Sequence, residues 1–190
     1  MRSSGEASPK RLAVVIPFYL TNEEHSEKLN LCLDALSKVE GFNALWLEII
    51  DCRFEHVSYT HALNSGISKA IKNVCDFIWL LDPTQIPNPN YFAKILKRFD
   101  SDSSIGIVAG MQISNENKTK SVWSGSRSSF PKQQFKAGDI NSQKLNKPSF
   151  ENWAPFKSAI IKTSAALDVG LLDESLQNQF SDADYCFRLS

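Results

Sequence analysis

Leu12-Ala-Val-Val-Ile16 is an unbroken aliphatic run closed by Pro17. A strand with one face in water alternates apolar and polar residues, and this run has no polar face to offer. It must be covered on both sides, as in a parallel sheet held between helices. Phe77-Ile-Trp-Leu-Leu81 has the same character and ends at Asp82. Leu45-Trp-Leu-Glu-Ile-Ile50, ending at Asp51, and Ile105-Gly-Ile-Val-Ala-Gly110 are the second and fourth strand candidates in chain order.

Segments of helical period lie between these strands. Leu29, Cys32, Leu33, Leu36 and Val39 form one apolar stripe, with Thr21 and Asn22 available as caps, Glu23 and Glu24 in the first turn and Gly41 as a stop. Ala62, Leu63, Ile67, Ala70 and Ile71 predict a helix over about 60–73, and Tyr91, Phe92, Ile95, Leu96 and Phe99 a third. Strands alternating with helices predict an α/β fold. The stretch 114–150 is rich in Ser, Asn, Lys and Gln and reads as mobile loop, with short strands near Val122 and Trp123. Apolar order returns from Trp153.

Composition excludes several classes. The 190 residues carry 21 Lys+Arg against 21 Asp+Glu, so no basic excess supports binding nucleic acid by bulk electrostatics. Hydrophobic residues at 42% suit one folded domain rather than a disordered chain. The run Phe77–Leu81, five residues long, is far short of the roughly 20 residues of a membrane span. The polar start, residues 1–10, reads as a disordered lead and not as a secretory signal. Cys32, Cys52, Cys75 and Cys186 are scattered, with no C-x-x-C, which points to buried thiols, a reducing compartment and no zinc site.

Ligands of open α/β sheets bind at the carboxyl ends of the strands. Pro17-Phe18-Tyr19, Asp51 and Asp82-Pro-Thr84 all follow strand candidates, so two carboxylates and an aromatic pair are expected to converge there. The plainer alternative is that both aspartates cap loops. Asp182 and Asp184 open a helix near the end, a place the helix dipole favours for Asp in any case. No G-x-G-x-x-G or Walker loop is present.

Taken in order, these segments resemble the family 2 glycosyltransferases. Leu12–Tyr19 is similar to the family's opening strand, and Glu48-Ile-Ile-Asp51 to its nucleotide-contacting strand end. Asn64-Ser-Gly66 is similar to its N-x-G segment, and Trp79-Leu-Leu-Asp-Pro-Thr84 to its metal-binding DxD strand end. Trp153-Ala-Pro155 with Ala159-Ile-Ile161 resembles the acceptor-side segment. Val169-Gly-Leu-Leu-Asp-Glu174 and Ser181-Asp-Ala-Asp-Tyr-Cys-Phe-Arg188 resemble the two closing motifs.

The resemblance implies a GT-A fold, with a Rossmann-like, mostly parallel central sheet and helices on both faces. A single domain over 11–190 would divide into a nucleotide-binding half, about 11–113, and an acceptor-side half, about 114–190. It implies transfer of a sugar, with inversion, from a UDP-, GDP- or dTDP-linked donor to a hydroxyl of a saccharide or lipid-linked saccharide, in polysaccharide or glycoconjugate assembly. Pro17, Phe18, Tyr19, Asp51 and Asn64 would contact the nucleotide. Asp82 would hold Mg²⁺ or Mn²⁺ against the diphosphate, and Asp182 would be the general base. Trp153 would wall the acceptor, or else is a core tryptophan, while Asp184 and Arg188 would orient the helix. The expected location is cytoplasmic, peripheral at the inner membrane face if the acceptor is lipid-linked.

The chain departs from the family pattern at Thr84, where DxD has its second carboxylate, and at Ser181, which often is acidic. A third departure is Cys52-Arg-Phe-Glu-His56 in place of a Gly- and Ser-rich stretch. With the stop at Ser190, inside the last helix, these departures make a fragment, or an inactive GT-A-like binding or scaffolding module, the alternative expectation. A nucleotidyltransferase is disfavoured, because Phe18–Asn22 has neither the glycine nor the cation of its loop.

Overall fold

The computed structural model describes residues 10–19, 23–52, 57–114, 116, 120–129, 132–139, 151, 153–176 and 180–190, with only the backbone described at 120–129 and 132–139. The expected lead (to residue 9), the caps Thr21 and Asn22, and residues 140–150 lie outside the described residues.

Strands and helices alternate as β1 (Arg11–Phe18), α1 (Glu23–Leu36), β2 (Ala44–Asp51), α2 (Tyr59–Lys72), β3 (Phe77–Leu81), α3 (Tyr91–Ser101) and β4 (Ile107–Ala109). There follow β5 (Gln112–Ile113), β6 (Lys120–Ser129), β7 (Lys132–Asp139), β8 (Ser158–Lys162), α4 (Thr163–Val169), a 3-10 turn at Glu174–Leu176 and α5 (Ser181–Leu189). The central sheet has the order β2-β1-β3-β8-β4. β1 is parallel to β2 and β3, whereas β8 runs antiparallel to both β3 and β4. The sheet is mostly parallel with one reversed strand, as the α/β expectation requires.

The unbroken run in β1 has the predicted cover. Ala13 and Val15 pack on one side against Leu63, Ile67 and Ala70 of α2, Ala166 of α4 and Tyr185 of α5. Leu12, Val14 and Ile16 pack on the other against Cys32 and Leu36 of α1 and Phe92, Ile95 and Phe99 of α3. Leu12 through Ile16 are 0% exposed, the signature of a strand with helices on both faces. Gly66 is what lets α2 approach β1. A Cβ there would lie 2.2 Å from Val15 Cγ1, closer than two carbons can come.

The strand expected near Val122 and Trp123 is there, within β6, and it is long and paired with β7 rather than a short strand in a loop. β5, β6 and β7 form a second, three-stranded antiparallel sheet. Polar strands of this kind carry little hydrophobic alternation, and their pairing comes from main-chain bonds that residue types do not announce.

Candidate functional site

Every strand of the central sheet except β8 points its carboxyl end to one edge, and β8 starts there. Ser158 is opposite Leu81 in the β3–β8 register, and the Asp82 N–H donates to the Lys157 carbonyl at 2.8 Å. Residues 153–157 are thereby laid beside the end of β3. The amino end of α5 arrives at the same place. Between them lies a cavity of about 620 Å³ lined by Tyr19, Asp82, Trp153, Lys157, Phe180 and Asp182, with Tyr59, Pro155, Phe156 and Ser181 completing the wall. Two carboxylates expected from separate ends of the chain, Asp82 and Asp182, thus face one space, and Tyr19 and Trp153 join them.

Asp182 is partly desolvated, and this burial raises its pKa above the ordinary aspartate value. Hydrogen bonds from the Ala183 N–H, at 2.8 Å, from the Trp153 side chain and from the Phe156 backbone pull the other way without cancelling the rise. A carboxylate with its proton affinity raised inside an aromatic cavity is suited to proton transfer. Phe180, just before α5, has φ +62°, left-handed backbone that costs a non-glycine residue about 1–2 kcal/mol. Its ring stays exposed at the cavity mouth next to Asp182.

The helix that carries Asp182 is held from behind. The Asp184 carboxylate accepts from Arg188 Nε at 2.9 Å, and the two Arg188 Nη groups donate to the Val169 and Leu171 carbonyls, each at 3.0 Å. Gly170 lies inside that gripped segment at φ +86° and ψ −159°, which side-chain-bearing residues rarely adopt. Asp184 and Arg188 are thus placed on the support side of α5 and are not in the cavity wall.

Asn64 is placed differently from its expected role at the nucleotide. It is 4% exposed, donates from Nδ2 to the Leu172 carbonyl and to Glu174 Oε1, and accepts the Leu172 N–H at Oδ1, all at 2.9 Å. Its amide is spent tying α2 to the loop that leads to α5. Pro17 and Phe18 are buried in β1 and likewise do not line the cavity. Asp51 ends β2 opposite Phe18, one strand further out, and residues 53–56 lie outside the described residues.

Asp82 also differs from a DxD pattern. Both the N–H and the hydroxyl of Thr84 donate to its Oδ1, the first at 2.8 Å. The residue at the second metal-ligand position therefore turns back onto the first carboxylate. Among the described residues no group of three or more His, Cys, Asp or Glu could hold a metal ion. This donor set does not fit a two-carboxylate grip on Mg²⁺ or Mn²⁺, which favour several hard oxygen ligands.

Sequence reasoning missed Tyr59, Lys157 and Phe180. Tyr59 lines the cavity together with the two carboxylates, donates to the Phe156 carbonyl at 3.4 Å, and has its pKa raised by burial and then by the charges of Asp82 and Asp182. Its only trace in the sequence is its place after Ser58, whose hydroxyl caps α2 by accepting the His61 N–H at 3.1 Å. Lys157 had a visible signal, as the single charge within Trp153-Ala-Pro-Phe-Lys-Ser-Ala-Ile-Ile161.

The chain superposes on the mannosyltransferase PcManGT from Pyrobaculum calidifontis, solved in complex with GDP-Man and Mn²⁺, with a TM-score of 0.61 and 13% identity. The match covers 97% of this chain and 54% of that one. The fold is one found among glycosyltransferases. S. aureus TarS, residues 1–349, superposes with a TM-score of 0.57 and 13% identity, over 95% of this chain and 55% of that one. This chain therefore spans about half the length of each. Neither a family model nor a curated protein matches it.

Proposed function

We propose that the protein is a nucleotide-sugar-dependent glycosyltransferase of the GT-A class, similar to family 2, that transfers a sugar with inversion to a hydroxyl acceptor. The observation that carries this is the meeting of Asp82, at the end of β3, and Asp182, at the start of α5, in one aromatic-walled cavity. The shared fold with PcManGT supports a nucleotide-sugar donor. The donor diphosphate lies toward Asp82 and the acceptor toward Asp182, Trp153 and Phe180.

Asp182 takes the proton of the acceptor hydroxyl as that oxygen bonds to the anomeric carbon. The bond from that carbon to the diphosphate oxygen breaks, and the nucleoside diphosphate leaves with the electron pair. Desolvation serves this step because a carboxylate out of water is a stronger base. Tyr59 adds an aromatic wall beside the two carboxylates, and Asp184 and Arg188 set the direction of Asp182 through α5.

Calorimetry with UDP-, GDP- and dTDP-linked sugars, with and without Mn²⁺, tests the proposal. Saturable binding of at least one is expected, and no heat with any of them refutes it. Thr84 and Ser181 favour a second reading, a binding module without transfer. It is excluded if the wild-type protein transfers sugar and folded Asp182→Asn does not.

A further inference from the structure

We infer that Lys157 supplies the positive charge facing the donor diphosphate, and that donor binding here does not depend on a divalent metal. The inference rests on the donor site proposed above and concerns how that site meets phosphate.

Among the described residues, the cavity wall presents two carboxylates, Asp82 and Asp182, and one cation, Lys157. A diphosphate brought to that wall meets repulsion from both carboxylates unless a positive charge intervenes. In a DxD site two carboxylates hold a metal for this purpose. Here the second position is Thr84, and its N–H and hydroxyl both engage Asp82 Oδ1. Asp82 is left with one oxygen outside that turn, too few ligands for a hard cation.

Lys157 stands where the missing charge is needed. Its carbonyl accepts the Asp82 N–H, so the two residues are neighbours across the β3–β8 edge. The chain on either side is pinned. Tyr59 donates to the Phe156 carbonyl, Tyr91 to the Ser158 carbonyl at 3.0 Å, and Trp79 Nε1 to Ser158 Oγ at 3.1 Å. The backbone at 157 is therefore fixed, while the residue is exposed and lines the cavity. Its ammonium makes no ion pair with Asp82, and none with any other described residue. An unpaired lysine on an open surface is ordinarily just solvated. This one lines a concave wall rich in aromatic residues beside a strand-end carboxylate, where a compact, mobile cation suits phosphate oxygens.

The test is binding of UDP and GDP by calorimetry to the full chain in EDTA and in Mn²⁺, for wild type, Lys157→Gln and Lys157→Arg. Circular dichroism and melting check that each variant is folded. Wild-type affinity in EDTA is expected to stay within roughly twofold of that in Mn²⁺. Lys157→Gln should weaken binding about tenfold or more, and Lys157→Arg should largely restore it, since charge rather than shape is what is lost. Raising salt should weaken the wild type more than Lys157→Gln. If wild type binds only with Mn²⁺ while Lys157→Gln binds as well as wild type, the role of Lys157 is refuted and the donor site stands. If neither nucleotide nor any nucleotide sugar binds under any condition, both are refuted.

Discussion

The end of β3 and the start of α5 each bring one aspartate to the same cavity, and they treat it in opposite ways. Asp82 sits in a tight turn where Thr84 donates twice to one carboxylate oxygen. Asp182 is turned into a desolvated wall, its proton affinity raised by burial. The first arrangement satisfies a charge and the second leaves it reactive. One fold edge can thus give two identical side chains different work, with the difference coming from what surrounds each carboxylate.

The largest expected effect separates the two directly. Asp182→Asn should lower transfer about 10²- to 10⁴-fold, the range for losing a general base, with nucleoside diphosphate affinity unchanged in calorimetry. An equal loss of binding would erase the distinction between the two ends. The same variant has a stability signature of definite sign. A carboxyl whose folded pKa is raised contributes stability that is complete below the unfolded value of 3.8 and lost as pH rises through the raised one. Urea midpoints should therefore favour Asp182→Asn over wild type at neutral pH, and the gain should vanish as pH falls toward 3.8. Transfer by the wild type should rise with pH through that same raised value.

Asn64→Ala probes the support behind α5 alone. It leaves the Leu172 N–H and C=O buried without their side-chain partner, a loss of about 2 kcal/mol in a denaturation curve. Nucleotide binding at the β3 end should be far less affected. Thr84→Asp tests the other end by restoring a second carboxylate. Mn²⁺ should then strengthen GDP or UDP binding about tenfold, where the wild type changes roughly twofold. No response to Mn²⁺ would mean that more than the residue at 84 distinguishes this turn. The smallest effect concerns Phe180→Gly, which relieves left-handed backbone and should gain about 1 kcal/mol in chemical denaturation while weakening acceptor saturation.

The parts legible in the sequence were those that a buried pattern writes. β3 throughout and β1 from Leu12 onward are apolar because both faces are covered, and so they announce a sheet between helices. β8 was legible as an apolar run, but not in its direction, since Ala159-Ile-Ile161 reads alike in a parallel or reversed strand. β6 shows itself only at Val122 and Trp123, and β7, rich in Gln and Lys, leaves little trace. In the candidate site, Asp82 and Asp182 stand out by their position at element ends and by resemblance. The hydrogen bonds of Asn64 are not legible, because its partners lie 108 and 110 residues away. A polar residue within a helix gives no sign of which distant loop it will hold. Lys157 became meaningful only once Thr84 was seen bonded to Asp82.

Gly66 sets a dimension of the molecule as well as a contact. It lies two helical turns along α2 from Tyr59, about 10 Å at the usual rise per residue. The bare α-carbon at 66 determines how closely the helix rides on Val15, and so where the Tyr59 ring stands in the wall it shares with the two carboxylates. α2 acts as a lever with its pivot buried in the core and its tip in the cavity. A single methyl group at the pivot would lift the tip, so the gauge of the opening is kept at a residue no substrate can reach.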